Sequence, residues 1–121
     1  MTDQRLIVEM GMGNDMSGQD YTKAAARAIQ DAIRHSSLPI LGALDIPYGD
    51  MRVEVTIAVQ DPGAVDCAAL AGTLPHGHAA VRAVKGGLNV HNPGTRGVIV
   101  IAAASVEVFL APQTGWRLRE A

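Results

Sequence analysis

From Asp20 to about Ser36 the chain reads DYTKAAARAIQDAIRHS, and this run decides the fold. Tyr21, Ala24, Ala25, Ala28, Ile29, Ala32 and Ile33 recur at intervals of three and four. Lys23, Arg27, Gln30, Asp31 and Arg34 take the opposite side, which is the period of an amphipathic helix. Its apolar stripe is mostly alanine, a composition that suits close packing of helix on sheet. Ser17 or Asp20 can accept from the free amides at its start, and Pro39 prevents it from running on.

Upstream, residues 5 to 11 set Leu6, Val8 and Met10 against Ile7, Glu9 and Gly11, the alternation of a half-buried strand. A glycine-rich turn joins this strand to the helix. Downstream, residues 40 to 50 form a loop that leads to the clearest strand, with Met51, Val53, Val55, Ile57 and Val59 on one face. Arg52, Glu54, Thr56, Ala58 and Gln60 occupy its other face. Asp61-Pro62-Gly63 ends it, and a short helix is expected from Val65 to about Thr73. Ala79 to Lys85 reads as a strand, Gly86-Gly87 as a tight hairpin turn and Leu88 to Val90 as the return strand. After the turn Asn92-Pro93-Gly94, the run from Val98 to Leu110 is apolar at almost every position, so it needs cover on both faces. Residues 112 to 121 form a C-terminal tail that carries the only tryptophan, Trp116.

The 121 residues fit one domain, 1–121, and 48% hydrophobic residues suffice for a core. The order strand, helix, strand, helix, hairpin, strand reads as a two-layer α/β sandwich with both helices on one sheet face. The other face carries Ile7, Thr56, Ala58, Ile99, Ile101, Ala103, Ser105 and Phe109, a surface too apolar for water. Burial against copies of itself resolves this, and a trimer whose sheets form a central barrel is the arrangement expected first. Charged residues are only 18%, the net charge is -2 and there is no basic run, which argues against a nucleic-acid partner. With neither a signal peptide nor a spanning stretch, no membrane partner is expected and the cytoplasm is the expected location. The lone Cys67 excludes an internal disulfide and reads as a small core residue.

Strand parity places the candidate chemistry. If Leu6, Val53 and Val106 face the helices, then Glu9, Glu54 and Glu107 emerge together on the open face beside Arg52. A carboxylate desolvated between subunits has its pKa raised and can act as a general acid or base near neutral pH. The competing reading pairs these acids with Arg52 or Arg82 and gives them only the task of fixing subunit register.

The second candidate is the loop from Gly11 to Gly18. Gly11, Gly13, Asn14, Ser17 and Gly18 present free amides at the positive end of the helix, with Asp15 and Lys23 at hand to hold a ligand. Met16 stands where a dinucleotide fingerprint needs its third glycine, and no Gly-Lys-Ser/Thr ending makes the loop a P-loop. A third constellation, His76, His78 and His91, has a spacing open to a three-histidine zinc site, although solvated loop histidines are the favoured reading and no metal is expected.

The run GMGNDMSGQDYTKAAARAIQDAIRHS, Gly11 to Ser36, resembles the N-terminal signature of a small family of conserved hypothetical proteins. That signature reads G-x-G-x-D-x-H-G, followed by a helix rich in Thr, Lys and Ala. Gly11, Gly13, Asp15 and Gly18 match it, Ser17 replaces the histidine, and Lys85-Gly86-Gly87-Leu88 and Ala104 to Val108 extend the similarity over most of the chain. The resemblance implies a role for Asp15 and assigns no reaction.

These readings combine into an expected function. The chain is expected to be a small oligomeric enzyme without a bound cofactor, acting on a small polar or anionic metabolite at subunit interfaces. Asp15, Glu107, Glu9 and Lys23 would act in isomerisation, elimination or hydrolytic ring opening, with Glu54 helping to bind the ligand. The alternatives are a non-catalytic oligomeric binding or scaffold module and a zinc hydrolase built on His76, His78 and His91.

Overall fold

The computed structural model describes residues 3–34, 45–74 and 77–115. Pro39, His76 and the Trp116 tail lie outside the described residues. The elements are β1 (Gln4–Asp15), α1 (Tyr21–Arg34), β2 (Arg52–Val59), α2 (Cys67–Gly72), β3 (His78–Lys85), β4 (Leu88–His91) and β5 (Val98–Leu110). The fold is mixed α and β, with both helices packed on a five-stranded sheet. The thirteen-residue β5 is its spine. β1 lies antiparallel along one side of β5, β2 and then β4 lie antiparallel along the other, and β3 runs parallel to β2 at the edge.

The alanine stripe of α1 does what its composition predicts. Ala24, Ala28 and Ala32 are fully buried, with Tyr21, Ala25 and Ile29 beside them. Asp20 caps the helix, its Oδ1 accepting from the Lys23 amide at 3.0 Å. The surface beneath is made of glycine. A Cβ on Gly11 would lie 2.4 Å from the Ala28 carbonyl oxygen, and one on Gly13 would lie 2.3 Å from the Ala28 nitrogen. Helix backbone therefore rests on strand backbone, at a separation that only glycine allows.

This contact corrects the reading of residues 11 to 15. Gly11, Gly13 and Asn14 belong to β1, which runs on to Asp15, and the two glycines serve helix packing instead of forming a ligand loop. It also corrects the phase of β1. A bulge between Arg5 and Ile7 lets Leu6 and Ile7 both pack against the core. Beyond it Ile7, Glu9, Gly11, Gly13 and Asp15 face the helices, while Val8, Met10 and Met12 face away and are 42%, 71% and 63% exposed. The apolar Val8 and Met10 would have filled the core by simple alternation, but their phase would have put side chains where α1 sits.

The expected hairpin between β3 and β4 is replaced by a change of lane. Leu88, Asn89, Val90 and His91 pair with Ile101, Val100, Ile99 and Val98 of β5, so β4 continues the line of β2. Gly86 donates to the Val59 carbonyl at 2.9 Å as the chain passes the end of β2. Gly87 has φ +61, and a Cβ there would meet the Ile101 carbonyl oxygen at 2.3 Å. The helix expected near Val65 to Thr73 forms as a short 3-10 turn, Pro62–Ala64, followed by α2. Asp66 caps α2 through the Ala69 amide at 3.0 Å, and the Asp66 amide donates to Thr22 Oγ1 of α1 at 2.9 Å.

If the glycine contact seats the helix, Gly13→Ala should destabilise the fold by about 3 kcal/mol, the upper range for overpacking a close contact. Gly72→Ala, which meets nothing within 4 Å, should change stability by less than about 1 kcal/mol. Denaturant midpoints of the two variants measure both outcomes.

Candidate functional site

Asp15 ends β1 with its side chain turned under the start of α1, and it is 3% exposed. Its Oδ2 accepts from the amides of Gly18 at 3.0 Å and Asp20 at 2.9 Å. Its Oδ1 lies 3.8 Å from Lys23 Nζ and 4.0 Å from Arg27 NH1. The Asp20 amide bond, with Lys23, the Gly18 amide and Arg27 adding to it, outweighs desolvation and holds the carboxyl below its ordinary pKa. The negative charge expected of a bound ligand at this helix start is supplied from within the chain. Asp15 thus fixes the turn from strand to helix, and a carboxylate held so firmly ionised is a weak proton acceptor. Ser17 and Gly18 are exposed in that turn.

Beside it, Arg27 NH1 donates to the Asn14 carbonyl at 2.6 Å and Asp31 Oδ2 accepts from the Met12 amide at 2.9 Å. These two side chains of α1 cover backbone groups on the outer edge of β1. Across the sheet from Asp15, Asn89 Nδ2 donates to the Tyr21 hydroxyl at 2.8 Å.

The open face holds the second group. Its rows run across β1, β5, β2 and β3 as Arg5, Phe109, Arg52 and His78, then Val8, Glu107, Glu54 and Ala80. Next come Met10, Ser105, Thr56 and Arg82, followed by Met12, Ala103, Ala58 and Val84. Glu54 and Glu107 share the open face, as parity predicted, and the register sets them directly opposite each other, whereas Glu9 pairs with Val106 on the helix side. The expected three-carboxylate cluster is therefore not assembled, and Asp15 and Lys23 lie on the other side of the sheet. Glu54 is bonded to Arg52 NH1, whose Nε donates to Asp3 at 3.0 Å and whose guanidinium lies 4.2 Å from the Phe109 ring centroid. Glu107 accepts from Arg5 NH1 at 3.1 Å, and Arg82 Nε donates to Thr56 Oγ1 at 3.0 Å.

The histidines are also separated. His78 lies opposite Arg52 at one end of the sheet, His91 lies opposite Val98 at the other, and His76 lies outside the described residues. Among the described residues no group of three His, Cys, Asp or Glu side chains stands together to hold a metal ion. Among them, too, no helix is long and apolar enough to cross a membrane.

Parity reasoning missed Val8, Met10 and Met12 on the open face, because the bulge at Leu6 leaves no mark that alternation can read. The signal that could have found them was the Gly-x-Gly spacing itself. Read as strand instead of loop, it fixes which side of β1 the helix occupies.

A family model described as "Conserved hypothetical protein (Lin0512_fam)" matches residues 5–108. The chain is similar to the crystal structure of an FtsZ-like protein of unknown function from Nostoc punctiforme. The TM-score is 0.83 and the identity 33%, over 93% of this chain and 99% of the other. No curated protein matches the chain.

A depressed carboxyl pKa contributes stability above the unfolded value, about 3.9 for aspartate, and that stability is lost as pH falls through the folded value. Asp15→Asn should therefore lower the denaturant midpoint at pH 7 and flatten the fall in stability between about pH 4 and lower pH. An unchanged acid limb would remove this role from Asp15.

Proposed function

Because the chain belongs to the Lin0512 family of conserved hypothetical proteins, whose description carries no reaction, we propose its function from the surface it presents. The protein works as a homo-oligomeric binding or scaffold module that closes over the open face of its sheet. The observation that carries this reading is the exposure of Met10, Met12 and Leu88, at 71%, 63% and 55%, on one continuous face. Large apolar side chains gathered in this way mark an interaction surface. The acids of the face support the same reading. Glu107 holds Arg5, and Glu54 shares Arg52 with Asp3, so this end of the face is a paired border with one more carboxylate than arginines, which can specify register. Edge-to-edge growth through β1 is disfavoured, since Arg27 and Asp31 already occupy outward backbone groups of that strand.

A second reading keeps a small-molecule site between copies, and the observation favouring it is Glu54 standing opposite Glu107. In that case these two residues would be the general acid and base for a small polar or anionic metabolite. Glu9, Asp15 and Lys23 would take no part, because they lie on the helix side.

Light scattering should give a mass of more than one chain for the wild type, and Met10→Lys with Met12→Lys should reduce it to that of one chain with unchanged circular dichroism. A wild-type protein that stays monomeric at high concentration rejects the assembly reading. Loss of turnover in Glu107→Gln with assembly intact, on a substrate found by screening, favours the second reading.

A further inference from the structure

The open face is divided along its strands. At one end of the two central lanes stand four large side chains, Ile99 and Ile101 of β5 with Val90 and Leu88 opposite them. Next along the same lanes come four small ones, Ser105 and Ala103 with Thr56 and Ala58 opposite them. The small residues floor a shallow depression of about 580 Å³, flanked on the β1 side by Met10 and Met12. Beyond it lies the row of Glu107 and Glu54.

Resting on the reading of this face as an assembly surface, we propose that its occupant is a second copy of this chain, related by a two-fold axis that runs across the strands and cuts β5 between Ile101 and Ala103. This operation lays β5 antiparallel over its own counterpart and β4 over β2, and exchanges the two halves of the face. Ile101 of each copy comes over Ala103 of the other, Ile99 over Ser105, Leu88 over Ala58 and Val90 over Thr56. Large side chains enter the depression on both sides of the axis, the interdigitation that close-packed sheet interfaces require.

Charge points to the same axis. The operation carries the Glu54 and Glu107 row to the level of Gly97 in the other copy, next to the exposed Arg96 in the turn before β5. An axis along the strands would instead set large over large, small over small and the glutamate row over itself. Two-fold closure takes the place of the three-fold barrel expected from sequence.

The relation is tested by cross-linking with a short bismaleimide in a Cys67→Ser background. Thr56 lies over Val90 of the other copy but about 20 Å along the strand from the other copy's Thr56. Mixed Thr56→Cys and Val90→Cys chains should give covalent dimer, and either variant alone should not. Covalent dimer from Thr56→Cys alone, in protein that light scattering shows to be dimeric, overturns the axis and leaves assembly standing; a monomeric wild type ends both. If a cysteine variant fails to fold, charge reversal serves instead. Arg96→Glu and Glu107→Arg should each dissociate alone and recover dimer when mixed, and failure to recover on mixing overturns the axis.

Discussion

The structure depends on a contact made without side chains. Gly11 and Gly13 of β1 admit the backbone of α1 at Ala24, Ala28 and Ala32 so closely that even a methyl group would collide. Packing at this range gains dispersion from many backbone atoms and fixes the helix in both height and azimuth. It also fixes the strand, since only one phase of β1 places both glycines under the helix. The bulge at Leu6 reconciles that phase with a core that still takes Leu6 and Ile7.

Several features of the site follow from the same contact. With the glycines beneath α1, Asp15 arrives at the helix start and closes the turn through the Gly18 and Asp20 amides. Its charge satisfies the helix terminus that would otherwise attract an external anion. Met10 and Met12, each adjacent in sequence to a glycine and so in the opposite phase, are forced onto the open face. Glu9 is moved to the helix side, while Glu107 stays on the face with Arg5 and Glu54 shares Arg52 with Asp3. Helix packing on one side of the sheet thus sets the chemical character of the other.

The open face is then graded from one end to the other. Arg5, Arg52, Glu54 and Glu107 form a charged end, Thr56, Ala58, Ala103 and Ser105 a low centre, and Leu88, Val90, Ile99 and Ile101 a raised apolar end. β4 is essential to this grading, because it extends the lane of β2 and brings Leu88 and Val90 beside β5. The step that places it there runs over Gly87, where a side chain would strike the carbonyls of Ile101 and Ala58.

The amino-acid sequence by itself determined the elements of α1, β2 and β5, the side of each that is buried, and the presence of an apolar sheet face without helices. These are periodic properties, set by 3.6 and 2 residues per repeat and readable from local order. The position of Glu54 and Glu107 on the open face was legible for the same reason. Only the tertiary structure decided the phase of β1, the lane of β4 and the task of Asp15. Each of these depends on atoms distant in sequence: a helix backbone lying on glycines, a carbonyl of β5 beside Gly87, and amides brought back to a carboxylate by a turn. A bulge or a missing side chain has no period, so its meaning appears only when the other half of the contact is in place.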